Sequence, residues 1–140
     1  GRLEALRYRE RRVLLDGAHN PEAAEALARA LAELGARRYA LVLGASEDKD
    51  LAGIVAALEP GAGPLYLTRS SLSARAAPPE RLRALAGRGE VIPDPMTALE
   101  AALAATPPAG LVLVAGSLYL VGELRALVLG ETLEKLERWQ

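Results

Sequence analysis

The stretch Val13-Leu14-Leu15-Asp16-Gly17-Ala18-His19-Asn20-Pro21 decides the fold, because it contains a strand, a turn and the start of a helix. Its three opening apolar residues are typical of a strand that is buried on both faces. Asn20 can cap a helix, and Pro21 suits the first helical position. Gly35 then suits the end of that helix. We therefore predict a strand over residues 13–15 and a helix over residues 21–34.

The same alternation of strand and helix continues along the chain. Further apolar runs predict strands at residues 39–43, 65–68, 90–92 and 111–115. Helical patterns between and after them predict helices at residues 51–58, 79–86, 96–105, 118–129 and 131–139. An extended piece at residues 3–8 is expected to pair with residues 13–15 through a charged turn at residues 9–12. The pattern predicts an α/β domain over residues 1–140, with a Rossmann-like, mostly parallel sheet, helices on both faces and an N-terminal edge hairpin.

Composition narrows the possible functions. Of the 140 residues, 51% are hydrophobic, so the chain can bury a core, and its net charge of -1 argues against nucleic-acid binding. Its apolar runs are too short to span a bilayer. With no cysteine and a single histidine, neither a disulfide framework nor a metal site is expected. We expect a cytoplasmic protein and a monomer.

The turn after the first buried strand is the strongest candidate for a site. Ligands of open α/β sheets bind beyond the carboxyl ends of the strands. Asp16 could accept hydrogen bonds from ribose hydroxyls, and His19 could bind a polar or anionic ligand beside free helix N–H groups. The alternative is a well-capped helix in which Asp16 satisfies N–H groups of its own loop. The residues leave both interpretations open.

Two further turns occupy equivalent places. In Gly116-Ser117-Leu118-Tyr119, glycine permits close approach of a backbone, and Ser117 can be a helix cap or a ligand donor. In the segment from Gly44 to Asp50, charges could contact a nucleotide or a partner, or Asp50 could cap a helix. In both turns the cap is the favoured interpretation. The sequence contains no Gly-x-x-x-x-Gly-Lys-Ser/Thr and no Gly-x-Gly-x-x-Gly after a strand, so neither usual phosphate-binding loop is present.

These turns resemble segments of the folylpolyglutamate synthases, which belong to the Mur ligase superfamily. The hexapeptide from Asp16 to Pro21 resembles the signature at the start of that family's C-terminal domain. Three other segments match in the same order: Gly1-Arg2-Leu3-Glu4, Gly44 to Asp50, and Gly116-Ser117-Leu118-Tyr119-Leu120-Val121-Gly122-Glu123. The four segments together extend over nearly the whole chain. The family's middle loop often has a Pro-Arg pair where this sequence has Ser73-Ala74-Arg75.

The resemblance implies a reaction. Members of the family use ATP to convert a folate carboxylate into an acyl phosphate, which the amino group of glutamate attacks to form an amide. Bacterial members often also make dihydrofolate from dihydropteroate and glutamate. ATP phosphates and Mg²⁺ are held mainly by an N-terminal P-loop ATPase domain, which this sequence lacks. The resemblance thus predicts a C-terminal domain that is inactive alone, with about 250 to 300 residues and a P-loop upstream of it.

The resemblance also assigns roles to individual residues. Arg2 and Asp16 would bind ATP, Arg2 toward the phosphates and Asp16 near the nucleoside. His19, Gly116 and Ser117 would bind glutamate, and His19 and Ser117 would contribute to catalysis by positioning it. Two other hypotheses stay open at this stage. One is a stand-alone small-ligand or nucleotide-binding module with a flavodoxin-like layout, and the other is a structural domain whose exposed edge docks a partner.

Overall fold

A computed structural model describes residues 3–138, with the backbone alone at positions 133 and 135–138. Its strands are β1 (Glu4–Tyr8), β2 (Arg11–Asp16), β3 (Tyr39–Leu43), β4 (Ala62–Leu67), β5 (Glu90–Val91) and β6 (Leu111–Ala115). Its helices are α1 (Pro21–Glu33), α2 (Leu51–Leu58), α3 (Pro79–Ala86), α4 (Pro95–Ala104) and α5 (Leu118–Arg138), with a 3₁₀ turn at Glu59–Gly61.

The described strands form one six-stranded sheet in the order β1-β2-β6-β3-β4-β5. The pair β1 and β2 is antiparallel, and every other pair is parallel. The predicted edge hairpin is therefore confirmed, although its turn is shorter than residues 9–12. Tyr8 already pairs with Arg11, and the two residues between them, Arg9 and Glu10, have φ angles of 48° and 66°. Positive φ at both central positions is the geometry that matches the twist of a two-residue hairpin.

Helices cover both faces of the sheet, as predicted. Helices α1, α2 and α3 pack on one face, and α4 and α5 pack on the other. Neighbouring residues of one strand pack on opposite faces of the sheet. Leu41 packs with the helices α1 to α3, Val42 packs with α4 and α5, and both are fully buried. This alternation explains why the strands are continuous apolar runs. The fold is α/β and Rossmann-like.

Side-chain caps fix the starts of three helices at the carboxyl ends of strands. The Ala23 N–H donates to Asn20 Oδ1 at 2.8 Å, and the Gly53 N–H donates to Asp50 Oδ1 at 3.0 Å. Both caps were predicted, and both are confirmed. A third cap, Asp94 on the Thr97 N–H at 3.0 Å, starts α4 one residue earlier than expected.

The C-terminal helix corrects one prediction. Two helices were expected, separated at Gly130, but α5 runs without interruption from Leu118 to Arg138. A helical glycine costs only about 1 kcal/mol relative to alanine, and contacts of Val128 and Glu131 on either side hold the helix in place. Trp139 lies outside the described residues. Among residues 3–138, no helix combines the length and apolarity that crossing a bilayer requires.

The charged turn of the hairpin makes side-chain contacts with two helices. The Arg9 guanidinium lies 4.9 Å from the centre of the Tyr8 ring and donates to Glu131 at 3.1 Å and to Glu100 at 3.4 Å. The Tyr8 hydroxyl also donates to Glu131. Burial, with the Glu131 hydrogen bond adding to it, raises the pKa of the Tyr8 phenol to about 12. These contacts tie the hairpin to α4 and α5.

Candidate functional site

Three strand-to-helix turns meet at the carboxyl edge of the sheet, because β2, β6 and β3 are hydrogen-bonded neighbours at its centre. The last residue of β2, Asp16, pairs in register with Ala115 at the end of β6. Leu43 at the end of β3 pairs with the same Ala115. The turns that follow these strands therefore leave the sheet side by side, as their placement after buried strands predicted.

Glycines allow these turns to contact one another. Gly116 has a φ of 105°, and a Cβ atom at this position would lie 2.2 Å from the Gly44 carbonyl oxygen. A Cβ atom at Gly17 would lie 2.3 Å from the Leu118 side chain. The predicted use of Gly116 for close backbone approach is thus confirmed between two loops of the chain itself. Its predicted contact with glutamate stays a prediction.

Asp16 is a buried carboxylate with acceptor capacity left over. Its side chain is only 5% exposed, and its Oδ1 accepts a hydrogen bond from the Ala18 N–H at 2.9 Å. It therefore does organise its own loop, as the alternative interpretation proposed. A carboxylate offers about four acceptor positions, so this bond leaves room for a ligand donor. Arg2, the other predicted ATP contact, lies outside the described residues.

His19 is oriented by its own turn. Its Nδ1 lies 2.8 Å from the Gly17 carbonyl oxygen, which can only accept, so Nδ1 is the donor in this contact. In the neutral ring, Nε2 is then an acceptor that can receive a hydrogen bond from an amine or a hydroxyl. The imidazole is half-buried, so it remains reachable from the edge.

Ser117 is the N-terminal cap of α5, the interpretation favoured from the sequence. Its buried Oγ accepts from the N–H groups of Tyr119 at 3.1 Å and Leu120 at 3.2 Å. These bonds use the acceptor side of the hydroxyl. The hydroxyl hydrogen remains a donor for an anionic group at the start of the helix, where the helix dipole also favours negative charge.

A long loop between β4 and α3, residues 68–78, covers the third turn. The Glu47 N–H donates to the Arg75 carbonyl oxygen at 2.8 Å, and the Ala77 N–H donates to the Ala45 carbonyl oxygen at 2.8 Å. The Arg75 guanidinium is 75% exposed and lies 3.9 Å from Asp48. Such an exposed pair contributes little stability, so Arg75 stays available to another anion.

Two clefts open beside this loop. The larger, of about 560 Å³, is lined by residues 69–74 and by Pro93, Asp94 and Pro95. The smaller, of about 360 Å³, contains Arg75, Lys49, Asp48 and the exposed ring of Tyr119. Sequence reasoning did not single out residues 69–72. The signal that could have found them is the group of serines at positions 70, 71 and 73, shortly after β4 and at the same edge as the other turns.

The described part of the chain contains no cluster of metal-binding side chains. Across residues 3–138, no three His, Cys, Asp or Glu side chains come together as a ligand set.

The fold and the three adjoining turns define a Rossmann-like domain with polar groups at the carboxyl edge of its sheet. Sequence comparison specifies the class further, because the profile described as "Mur ligase, glutamate ligase domain" matches residues 1–118. The chain belongs to this family. A probable bifunctional folylpolyglutamate synthase/dihydropteroate synthase of Haloferax volcanii is 38% identical over 130 residues. That match covers 89% of this chain and 15% of the relative.

Solved structures agree with this assignment. Escherichia coli FolC in complex with DHPP and ADP superimposes with a TM-score of 0.79 at 31% identity, covering 86% of this chain and 29% of that one. The Yersinia pestis bifunctional folylpolyglutamate synthase/dihydrofolate synthase, complexed with AMPPNP and a Mn ion, has a TM-score of 0.76 at 29% identity. Here the match covers 83% of this chain and 28% of that one. The chain thus spans less than a third of these proteins, and the resemblance stated from its motifs is confirmed.

Proposed function

We propose that this chain is the C-terminal, glutamate-ligase domain of a two-domain folylpolyglutamate synthase, dihydrofolate synthase or enzyme with both activities. The observation that carries the proposal is the junction of three turns at one sheet edge, which brings together the segments of Asp16, His19 and Ser117 in a member of the glutamate ligase family. An N-terminal P-loop ATPase domain would be its partner, because the chain has no phosphate-binding loop. Cytoplasmic location and a monomeric state remain predictions.

The proposed reaction forms an amide in two steps. A carboxylate of folate or dihydropteroate first attacks the γ-phosphate of ATP, giving an acyl phosphate and ADP. The amino group of glutamate then attacks the acyl carbon, the amide bond forms, and inorganic phosphate leaves. Mg²⁺, held with the ATP phosphates by the P-loop domain, would neutralise phosphate charge.

The residues of this chain would orient the two small substrates. Asp16 would accept hydrogen bonds from the ribose hydroxyls of ATP, and Arg2 would face the phosphates. His19 Nε2 would accept a hydrogen bond from the glutamate amino group, and the Ser117 hydroxyl, with the N–H groups of its turn, would donate to a glutamate carboxylate. Alignment of the amine with the acyl phosphate supplies catalysis by reducing the entropic part of the barrier.

The first test compares the chain alone with the complete two-domain ligase. Both are incubated with ATP, Mg²⁺, glutamate and either dihydropteroate or a reduced folate, and amide product is measured. We expect product only from the complete ligase. ATP-dependent ligation by the chain alone would contradict the proposal that the reaction needs both domains. If the complete protein ligates neither acceptor, the proposed function is refuted.

A second test addresses His19 and Ser117 in the complete ligase. Replacing either residue by alanine should raise the glutamate KM or slow amide formation while ATP binding stays nearly intact. The double variant should lose less than the two single losses combined, since groups that act on one ligand are not additive. Asp50→Ala is the matched control, because it removes a comparable helix cap. If Ser117→Ala changes the glutamate kinetics no more than Asp50→Ala does, Ser117 acts only as a cap.

A further inference from the structure

A carboxylate on α5 binds the loop that lines both clefts. Glu123 Oε1 accepts from the Ser70 hydroxyl at 3.0 Å and from the Ser71 N–H at 2.9 Å, and Oε2 accepts from the Ser71 hydroxyl. Ser70 is buried and also accepts from the Leu72 N–H at 3.0 Å. Three hydrogen bonds to one carboxylate, two of them to Oε1, fix the first half of the loop against the helix.

The second half of the same loop is fixed by backbone contacts. Ala76 bridges to Ser46, and the Arg75 carbonyl oxygen accepts from Glu47. Residues 72–74 lie between these two anchors, and they contribute to the walls of both clefts. The position of Glu123 therefore helps to fix residues 72–74, which form part of the wall of each cleft.

Helix α5 connects this anchor to the site described above. Ser117 caps the helix, and Tyr119 lies one turn before Glu123 on the same face, because residues four apart in a helix are neighbours. Tyr119 lines the smaller cleft together with Leu72. A single helix thus carries the Ser117 turn, one wall of the cleft and the group that holds the opposite wall.

We propose that Glu123 is a positioning residue for the acidic substrate, acting through residues 69–76. The smaller cleft presents two cations, Arg75 and Lys49, and one anion, Asp48, beside Tyr119, and this positive balance suits a substrate with carboxylates. Glu123 holds the start of the loop whose residues 72–74 line this cleft, so its loss loosens that wall without removing any group that contacts the substrate. This inference rests on the proposed function, in which that substrate is glutamate.

The test uses two substitutions in the complete ligase. In Glu123→Gln, the amide oxygen can still accept from Ser70 and from the Ser71 N–H, and the amide NH₂ can donate to the exposed Ser71 hydroxyl. In Glu123→Ala, all three bonds are lost. We expect Glu123→Ala to raise the glutamate KM about tenfold or more, with the ATP KM within about twofold of wild type. Glu123→Gln should restore most of the affinity.

The matched control is Glu59→Ala at the opposite end of β4. Glu59 accepts from Arg88 Nε at 2.7 Å, and Arg88 in turn holds the carbonyl oxygens of Gly63 and Ala62. Its loss removes a comparable anchor far from the clefts. It should lower the melting temperature and leave the glutamate KM unchanged.

Hydrogen exchange of the Ser71 amide gives a readout that needs no activity. In this chain alone, exchange should accelerate about tenfold or more in Glu123→Ala and stay near wild type in Glu123→Gln. Unchanged exchange in Glu123→Ala would overturn the anchoring. Accelerated exchange with an unchanged glutamate KM, or a rise in the ATP KM alone, would overturn the positioning role while leaving the proposed function intact. If the wild-type ligase forms no amide, the proposed function and the positioning role both fail.

Discussion

Replacing Gly116 with alanine should destabilise the domain by forcing two turns apart. Gly116 has a φ of 105°, and any other residue costs about 1–2 kcal/mol in this left-handed backbone conformation. The added Cβ atom would also lie 2.2 Å from the Gly44 carbonyl oxygen and 2.9 Å from a Leu43 methyl group. Shifting a backbone in a packed region typically costs about 1–3 kcal/mol. We therefore expect a total loss of about 2–5 kcal/mol in the free energy of unfolding.

Another glycine of the chain separates the two contributions. Gly35 has a φ of 74°, but an added Cβ atom would meet nothing within 4 Å. Gly35→Ala should therefore show the conformational cost alone, about 1–2 kcal/mol. In a domain of this size, each kcal/mol lowers the melting temperature by about 3–5 °C. Thermal unfolding followed by circular dichroism should place Gly116→Ala about 3–15 °C below Gly35→Ala.

The comparison also tests the geometry of the candidate site. Gly116→Ala in the complete ligase should raise the glutamate KM, because the Ser117 turn moves away from Gly44. Equal melting temperatures for the two alanine variants would show that the turns after β3 and β6 do not touch. In that case the convergence of three turns on one ligand would lose its structural basis.

Two further predictions concern helix α5 and the N-terminal hairpin. Gly122 lies inside α5 with nothing within 4 Å of an added Cβ atom, so Gly122→Ala should raise the free energy of unfolding by about 0.5–1 kcal/mol; a lower urea midpoint would contradict this. Burial and the Glu131 hydrogen bond raise the pKa of Tyr8 to about 12. The protonated phenol therefore contributes its full stabilisation below about pH 10, and this stabilisation is lost as the pH rises toward 12. Urea unfolding at pH 9 and pH 11.5 should therefore show a larger loss for wild type than for Tyr8→Phe, and equal losses would argue against the shift.

The order and type of the elements could be predicted from local signals. Asn20 and Asp50 indicate helix starts because their side chains can cap a helix. Continuous apolar runs indicate the buried strands. Gly130 misled the prediction, because a glycine that ends many helices is tolerated where flanking residues are held by distant contacts. The edge on which the three turns lie followed from general rules of α/β sheets.

Long-range contacts could not be predicted in this way. Glu123 meets Ser71 across 52 positions, and Arg9 meets Glu131 across 122. Neither pair has a periodic or local signature, since each depends on the order of the strands and on where the helices pack. Asp16 and Ser117 present a different difficulty. A side chain that caps its own turn has hydrogen-bonding capacity left, so its local role does not show from the sequence whether it also binds a ligand.

The position of β6 has a consequence for how the chain reaches its native state. This strand is the last in the described part of the chain, yet it lies between β2 and β3 and pairs with both. The N-terminal hairpin therefore has no neighbouring strand in the sheet until residues 111–115 have been synthesised and inserted. Closing such distant pairings is slow, because the entropy of the long intervening chain must be lost first. During synthesis on the ribosome, the sides of β2 and β3 that later face β6 stay unpaired, and the sheet is complete only after residues 111–115 have emerged.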